Sequence, residues 1–189
     1  YKPDEVIIDL EASPFKECDT SNETMKEFAK FAKLSTIPTP EEVKKDYAKQ
    51  WIDFMCIQWA KVGQVYKEGV KIGSPQAKFG VYSSYQTPRN KAHYAMDWNY
   101  WKGIVDFAEM GYGRQTEKIR KATFEALKGV PVYTGILYWQ QTPTAVAKIL
   151  KNKILRRITD GANGIMLYTW VKLDGIARTQ INKAATIIA

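Results

Sequence analysis

The chain has 189 residues, 45% hydrophobic and 25% charged, a balance typical of a globular domain that buries roughly 70% of its unfolded surface without disulfides or metals. That balance excludes disordered, collagen-like and disulfide-scaffold classes, and no apolar run approaches the ~20 residues of a membrane span. The formal net charge of +8 favours anionic partners, whether nucleic acid, acidic polysaccharide or a membrane surface. Its densest cluster, Lys148, Lys151, Lys153, Arg156 and Arg157, shares a helical pattern with Val146, Ile149, Leu150, Ile154 and Ile158, and no nucleic-acid motif accompanies it.

Strand and helix signals alternate along the whole chain. The run Glu5 to Glu11 reads as a first strand, and a helical pattern opens near Ser21 with Met25, Phe28, Ala29 and Ala32 on one face. Thr39-Pro40-Glu41-Glu42 combines an N-cap, a Pro at the first helical position and a capping-box Glu. It predicts one long helix to about Lys71, stopped by Gly73-Ser74-Pro75. A second strand spans Lys78 to Tyr85 and is followed by an aromatic connection with Tyr94, Trp98, Tyr100 and Trp101. The third strand is read at 104–112, a helix at 115–128, the fourth strand at 130–138, a basic helix at 143–158 and the fifth strand at 164–170. Cys18 and Cys56 could pair in an oxidising compartment or stay as two buried thiols, and Asn22-Glu23-Thr24 is a glycosylation sequon.

Five strands separated by helices predict an α/β fold of five (βα) units with a parallel sheet, forming a single domain over 1–189. A doubly wound sheet would be expected to carry a Gly-rich phosphate loop, and none follows any strand. A portion of a (β/α)8 TIM-type barrel is the better fit, because polar residues cluster at the strand ends where such barrels place their active sites. At the first of these ends Asp9 and Glu11 are two apart and share one strand face, while Val6, Ile8 and Leu10 share the other. Two carboxyls so placed oppose each other's ionisation, which holds one protonated as a general acid.

Val6-Ile7-Ile8-Asp9-Leu10-Glu11 resembles the Asp-x-Glu strand of family 18 glycoside hydrolases, the chitinases and endo-β-N-acetylglucosaminidases. Three further segments resemble that family's last strands in the right order: Met110-Gly111-Tyr112, Gly129-Val130-Pro131-Val132-Tyr133, and Gly164 to Trp170 with Asp174 beyond. Ile7 stands where the family carries an Asp, and Gly113 follows the Met-x-Tyr in place of another. The stretch Phe79-Gly80-Val81-Tyr82-Ser83-Ser84-Tyr85 is similar to segments of hyaluronidases and of family 25 lysozymes.

The resemblance implies cleavage of β-linked N-acetylhexosamine polymers of the chitin, peptidoglycan or glycosaminoglycan type. Glu11 would be the acid/base, Asp9 would orient the substrate acetamido group and Tyr112 would hydrogen-bond it. Trp170 or Tyr168 would floor the sugar subsite, with Tyr82, Met110 and Trp139 as further substrate contacts. It implies no cofactor and no metal, a polysaccharide as partner, and an extracellular location. The alternative is a catalytically silent barrel serving as a sugar-binding or assembly module. His93, the one histidine, reads as a loop or surface residue, and Glu109 as facing away from the site. An eight-stranded barrel takes ~250 residues, so a match to its last five strands predicts three strands ahead of Tyr1, or a partner chain that completes the sheet.

Overall fold

The computed structural model describes residues 2–16, 18–111, 115–137, 144–168 and 175–188. Its strands are β1 (Glu5–Asp9), β2 (Lys78–Ser83), β3 (Phe107–Met110), β4 (Val132–Leu137) and β5 (Gly164–Tyr168). Between β1 and β2 lie α1 (Asn22–Ala32), α2 (Pro40–Asp46) and α3 (Ala48–Gly73). α4 (Pro88–Tyr94) follows β2, α5 (Glu117–Ala126) follows β3, α6 (Thr144–Lys148) and α7 (Leu150–Thr159) follow β4, and α8 (Gly175–Ile188) follows β5.

The sheet order is β1-β2-β3-β4-β5 and every pairing is parallel. A doubly wound sheet reverses its strand order at a switch point, and this one does not. Successive right-handed crossovers advancing in one direction deposit all helices on one face. The cores follow from that winding. Leu10, Phe79, Val81, Ala108, Met110 and Val132 point to the helix layer and pack with Ala60, Trp98, Trp101 and Leu127. Ile136, Ile165 and Leu167 do the same against Leu150, Ile154, Ala177 and Ala184.

The other sheet face carries the alternate residues. One row across it runs Asp9, Tyr82, Glu109, Tyr133 and Gly164, and the row below begins Ile7, Gly80 and Phe107. Glycines admit aromatic rings here. A Cβ at Gly80 would lie 2.3 Å from the Phe107 ring, and one at Gly164 would lie 2.5 Å from Tyr133. The two rings meet edge to face at 5.9 Å and 82°, so aromatics line this face from the level of Asp9 to the row below it. Gly80→Ala is expected to cost about 1–3 kcal/mol by overpacking against a ring that cannot withdraw. An unchanged denaturation midpoint in urea would contradict that close approach.

Several predicted boundaries are corrected. The helix expected from Thr39 to Lys71 is two helices, because Tyr47 leaves helical geometry (φ −125°, ψ 17°) between α2 and α3. Its ring turns in beside Phe28, 6.4 Å away, and the redirected α2 drops Val43 into a second core with Met25, Phe28, Trp51, Phe54 and Cys56. The capping box itself is formed, Thr39 N–H donating to Glu42 Oε2 at 2.7 Å and Glu42 N–H to Thr39 Oγ1 at 3.2 Å. The third strand begins at Phe107 because Ile104 and Val105 instead donate their N–H groups to the Trp101 carbonyl. The basic helix is broken at Ile149 into α6 and α7. Residues 138–143 and 169–174 lie outside the described residues.

β1 is an edge strand among the described residues. Leu10 N–H donates to Tyr82 O, and Asp4 O accepts from Lys78 N–H, so the even residues of β1 face β2. By alternation Glu5, Ile7 and Asp9 turn their backbone groups to the open edge. Beside it α3 exposes an apolar stripe of Val62, Val65, Tyr66 and Ile72.

Candidate active site

Asp9 closes β1, and Glu11 sits just past it at the C-terminal end of a parallel strand. The residue between them is fixed from two sides: Leu10 N–H donates to Tyr82 O at 2.9 Å, and the buried Ser83 hydroxyl donates to Leu10 O at 2.7 Å. Leu10 is itself in the core. With Leu10 pinned inward, Asp9 is on the open face by register, and Glu11, two residues on, lines the same cleft at the β1 edge.

α4 brings His93 and Tyr94 within the electrostatic field of Glu11. Thr87 caps it by accepting from Asn90 N–H at 3.0 Å, with Pro88 at its first position. Lys91 anchors it, its ammonium reaching Asp53 of α3 at 2.8 Å and Asp97 at 2.9 Å. Asp97 also accepts from the Gln86 side chain and from Asn99. Burial opposes the charge on Lys91, but the hydrogen bonds to Asp53 and Asp97 outweigh it and hold the ammonium above its ordinary value. Burial likewise works against ionised Asp97, and the bonds from Lys91, Gln86 and Asn99 overcome it, keeping that carboxyl below its ordinary range. Nearby Cys56 is pushed up to about 12 by burial, so its thiol is inert at neutral pH. No disulfide forms among the described residues.

The anchored helix sets His93 and Tyr94, stacked edge to face at 4.6 Å, in the electrostatic field of Glu11. The Glu11 carboxyl is raised above its ordinary 4.5, first by burial and then by the Asp9 charge, while His93 pulls it down. Both upward causes are what a general acid needs. A carboxyl raised in the fold stabilises below its unfolded value and loses that contribution as pH climbs through the folded value. Glu11→Gln is therefore expected to gain in thermal midpoint relative to wild type between pH 4 and pH 7. A difference that stays flat across that window in differential scanning calorimetry would contradict the raised carboxyl.

The sheet places the other expected contacts unequally. Tyr82 is the direct neighbour of Asp9 on the same face, and its hydroxyl lies over Gly111, 3.3 Å from where a Cβ would stand. Tyr168 is on that face too, at the far strand and opposite Leu137. Met110 is not: it pairs with Ser83 and Thr134 on the helix side and is fully buried. Glu109 is correspondingly on the open face in register with Tyr82, the reverse of the expectation that it points away. Its carboxyl is raised by burial and by Glu5, not by Asp9 or Glu11, which makes it a separate acidic group. Tyr112, Trp139 and Trp170 lie outside the described residues.

A cleft of 620 Å³ wraps the edge of β1, bounded by Asp9, Glu11, Trp59, Tyr66 and Trp101. Trp101 of the aromatic connection is fully buried, with its ring edge against Gly63. Trp98 is equally buried and donates its indole N–H to Ser84 O at 2.8 Å. No cluster of three or more His, Cys, Asp or Glu suited to a metal occurs among the described residues. No helix among them is long and apolar enough to cross a membrane.

The one-directional winding has a counterpart among solved structures. A chitinase from Chromobacterium violaceum aligns with a TM-score of 0.53 over 96% of this chain and 91% of that one, at 11% sequence identity. The chain has a chitinase-like fold. At that identity the likeness is one of fold alone, and no family model and no curated protein sequence matches the chain. His93 is exposed, as its sequence reading expects, and Tyr94 beside it is half-buried. The Thr87-Pro88 pair that starts their helix repeats the Thr39-Pro40 cap-and-proline signal of α2.

Proposed function

We propose that the chain is a glycoside hydrolase acting on β-linked N-acetylhexosamine polymers by substrate-assisted, retaining catalysis. The observation that carries this reading is Glu11 beside Asp9 at the C-terminal end of a parallel strand, its carboxyl raised by burial and by its neighbour. Glu11 donates its proton to the glycosidic oxygen as that bond to C1 breaks. The substrate acetamido oxygen takes the place of the leaving group on C1, giving a cyclic oxazolinium whose positive charge Asp9 stabilises. Glu11, now ionised, removes a proton from a water that attacks C1, and the acetamido group is released with net retention. Tyr82 and Tyr168 offer ring faces to the apolar side of a pyranose. The resemblance gives the corresponding roles beyond the described residues to Tyr112, Trp170 and Trp139.

The test is the product formed from an N-acetylglucosamine hexamer, followed by proton NMR from the first minutes. The β-anomer should appear first, and the fully de-N-acetylated hexamer should not be cleaved. Inversion at C1, or equal cleavage of the deacetylated polymer, would contradict the mechanism. A sugar-binding module without turnover is the second reading. It is favoured by Ile7, which is 41% exposed on the Asp9 face where the resemblance has a third carboxylate. Binding of the hexamer by calorimetry with no product after prolonged incubation would select it. Either reading expects another strand and helix, from the same polypeptide or a partner, to pair with the β1 edge. The outward backbone groups of Glu5, Ile7 and Asp9 and the apolar stripe on α3 support that expectation.

A further inference from the structure

We propose that Glu109 is a substrate contact, its carboxyl taking the hydroxyl groups of a sugar that lies on Tyr82 beside the acid pair. The inference rests on reading Asp9 and Glu11 as a glycan site, and it adds a third carboxyl whose role is binding and not proton transfer. Its placement is fixed by backbone register. Tyr82 pairs with Asp9 on one side and with Glu109 on the other, and registered residues of parallel strands project from the same face of the sheet. With neighbouring strands about 4.7–4.9 Å apart, the Asp9 and Glu109 Cα atoms stand roughly 9–10 Å from each other across that face, with Tyr82 between them. A pyranose on the Tyr82 ring has one edge toward Asp9 and the opposite edge toward Glu109.

The fold itself gives this carboxyl no partner. Glu109 is half-buried, no hydrogen bond or ion pair engages it among the described residues, and the charge that acts on it is Glu5, of its own sign. The contrast with Asp97, Asp106 and Asp160 is direct, because each of those is paired with a Lys or Arg. Burying a polar group without a partner costs stability, and a chain that keeps one on the face of its candidate site breaks a folding rule where function gains from it. The neighbours of Glu109 on that face are aromatic, Tyr133 in register on β4 and Phe107 two residues earlier on β3. Burial there favours the protonated carboxyl, which offers a donor and an acceptor, the complement of a sugar hydroxyl that is also both. A cationic partner is opposed by the net charge of +8.

The experiment measures two properties of Glu109→Leu whose expected changes have opposite signs. The thermal midpoint at pH 7 should rise, because an unpartnered carboxyl gives way to an apolar side chain. The affinity for an N-acetylglucosamine hexamer, measured by calorimetry in Glu11→Gln protein so that the ligand stays intact, should fall at least ~10-fold. Glu109→Gln keeps a donor and an acceptor at the same place and should recover most of that affinity. With Glu11 intact, Glu109→Leu should raise KM and leave kcat little changed, the pattern of a lost binding contact. A lower midpoint would mean that the fold pairs the carboxyl, and unchanged affinity would mean that the sugar does not touch it. Either result overturns the proposal, as does a hexamer that the protein does not bind. Failure of the hydrolase reading is distinguishable: weaker binding in Glu109→Leu with no cleavage by wild type keeps the contact and removes the hydrolase, and Glu11-dependent cleavage with unchanged affinity does the reverse.

Discussion

Glu11→Gln is expected to lower kcat/KM for cleavage of an N-acetylglucosamine hexamer by roughly 10²–10⁴-fold, the range a positioned general acid supplies, while hexamer affinity changes little. The amide keeps the shape of the side chain, and Leu10 still holds the backbone through Tyr82 and Ser83, so a loss of fold does not explain a loss of rate. The pH profile separates Glu11 from its neighbours. As an acid it must be protonated, so the rate falls as pH rises through its titration. Asp9→Asn removes a charge that raises Glu11 and should move that limb to lower pH, and His93→Ala removes one that lowers it and should move the limb higher. Limbs that do not move in either variant would mean that the titrating group is not Glu11.

The largest stability effect is expected away from the site, at Asp160. Arg120 of α5 is almost fully buried and directs its Nε and Nη2 to one oxygen of Asp160, with Nη1 donating to Gln115 O. Arg157, half-buried nearby and lowered by burial, lies within the field of the same carboxylate. Asp160→Leu leaves the buried Arg120 guanidinium without its carboxylate, and removing one partner of a buried pair costs about 3–5 kcal/mol. For a chain of this length that is a fall in Tm of roughly 6–20 °C. The double change Arg120→Met with Asp160→Leu should recover a large part of it, because no charge at the pair is left uncompensated. A single variant that melts with wild type would show that Asp160 carries no such charge balance.

What the sequence revealed and what it hid divide by the range of the interaction. The strands and the Thr39 capping box are local: each depends on spacing within one element, and each is present in the fold. The face of Met110 is not local. Phe107-Ala108-Glu109-Met110 reads equally well in either phase, and the register of β3 on β2 decides that Met110 meets the helices while Glu109 meets Tyr82. The break at Tyr47 follows from its ring packing on Phe28, a residue of another helix. His93 could be read as a surface side chain from its neighbours alone. It comes within the field of Glu11 on a helix that Lys91, two residues earlier, ties to Asp53 on α3, a contact that spacing along the chain does not disclose.

The most direct measurement is a crystal structure of the Glu11→Gln protein with an N-acetylglucosamine hexamer. The oligomer should lie across the C-terminal end of β1, with a glycosidic oxygen within hydrogen-bond distance of the substituted side chain and the adjacent acetamido group on Asp9. A hexamer bound elsewhere, with Asp9 and residue 11 untouched, would contradict the assignment of these two carboxyls as the catalytic pair.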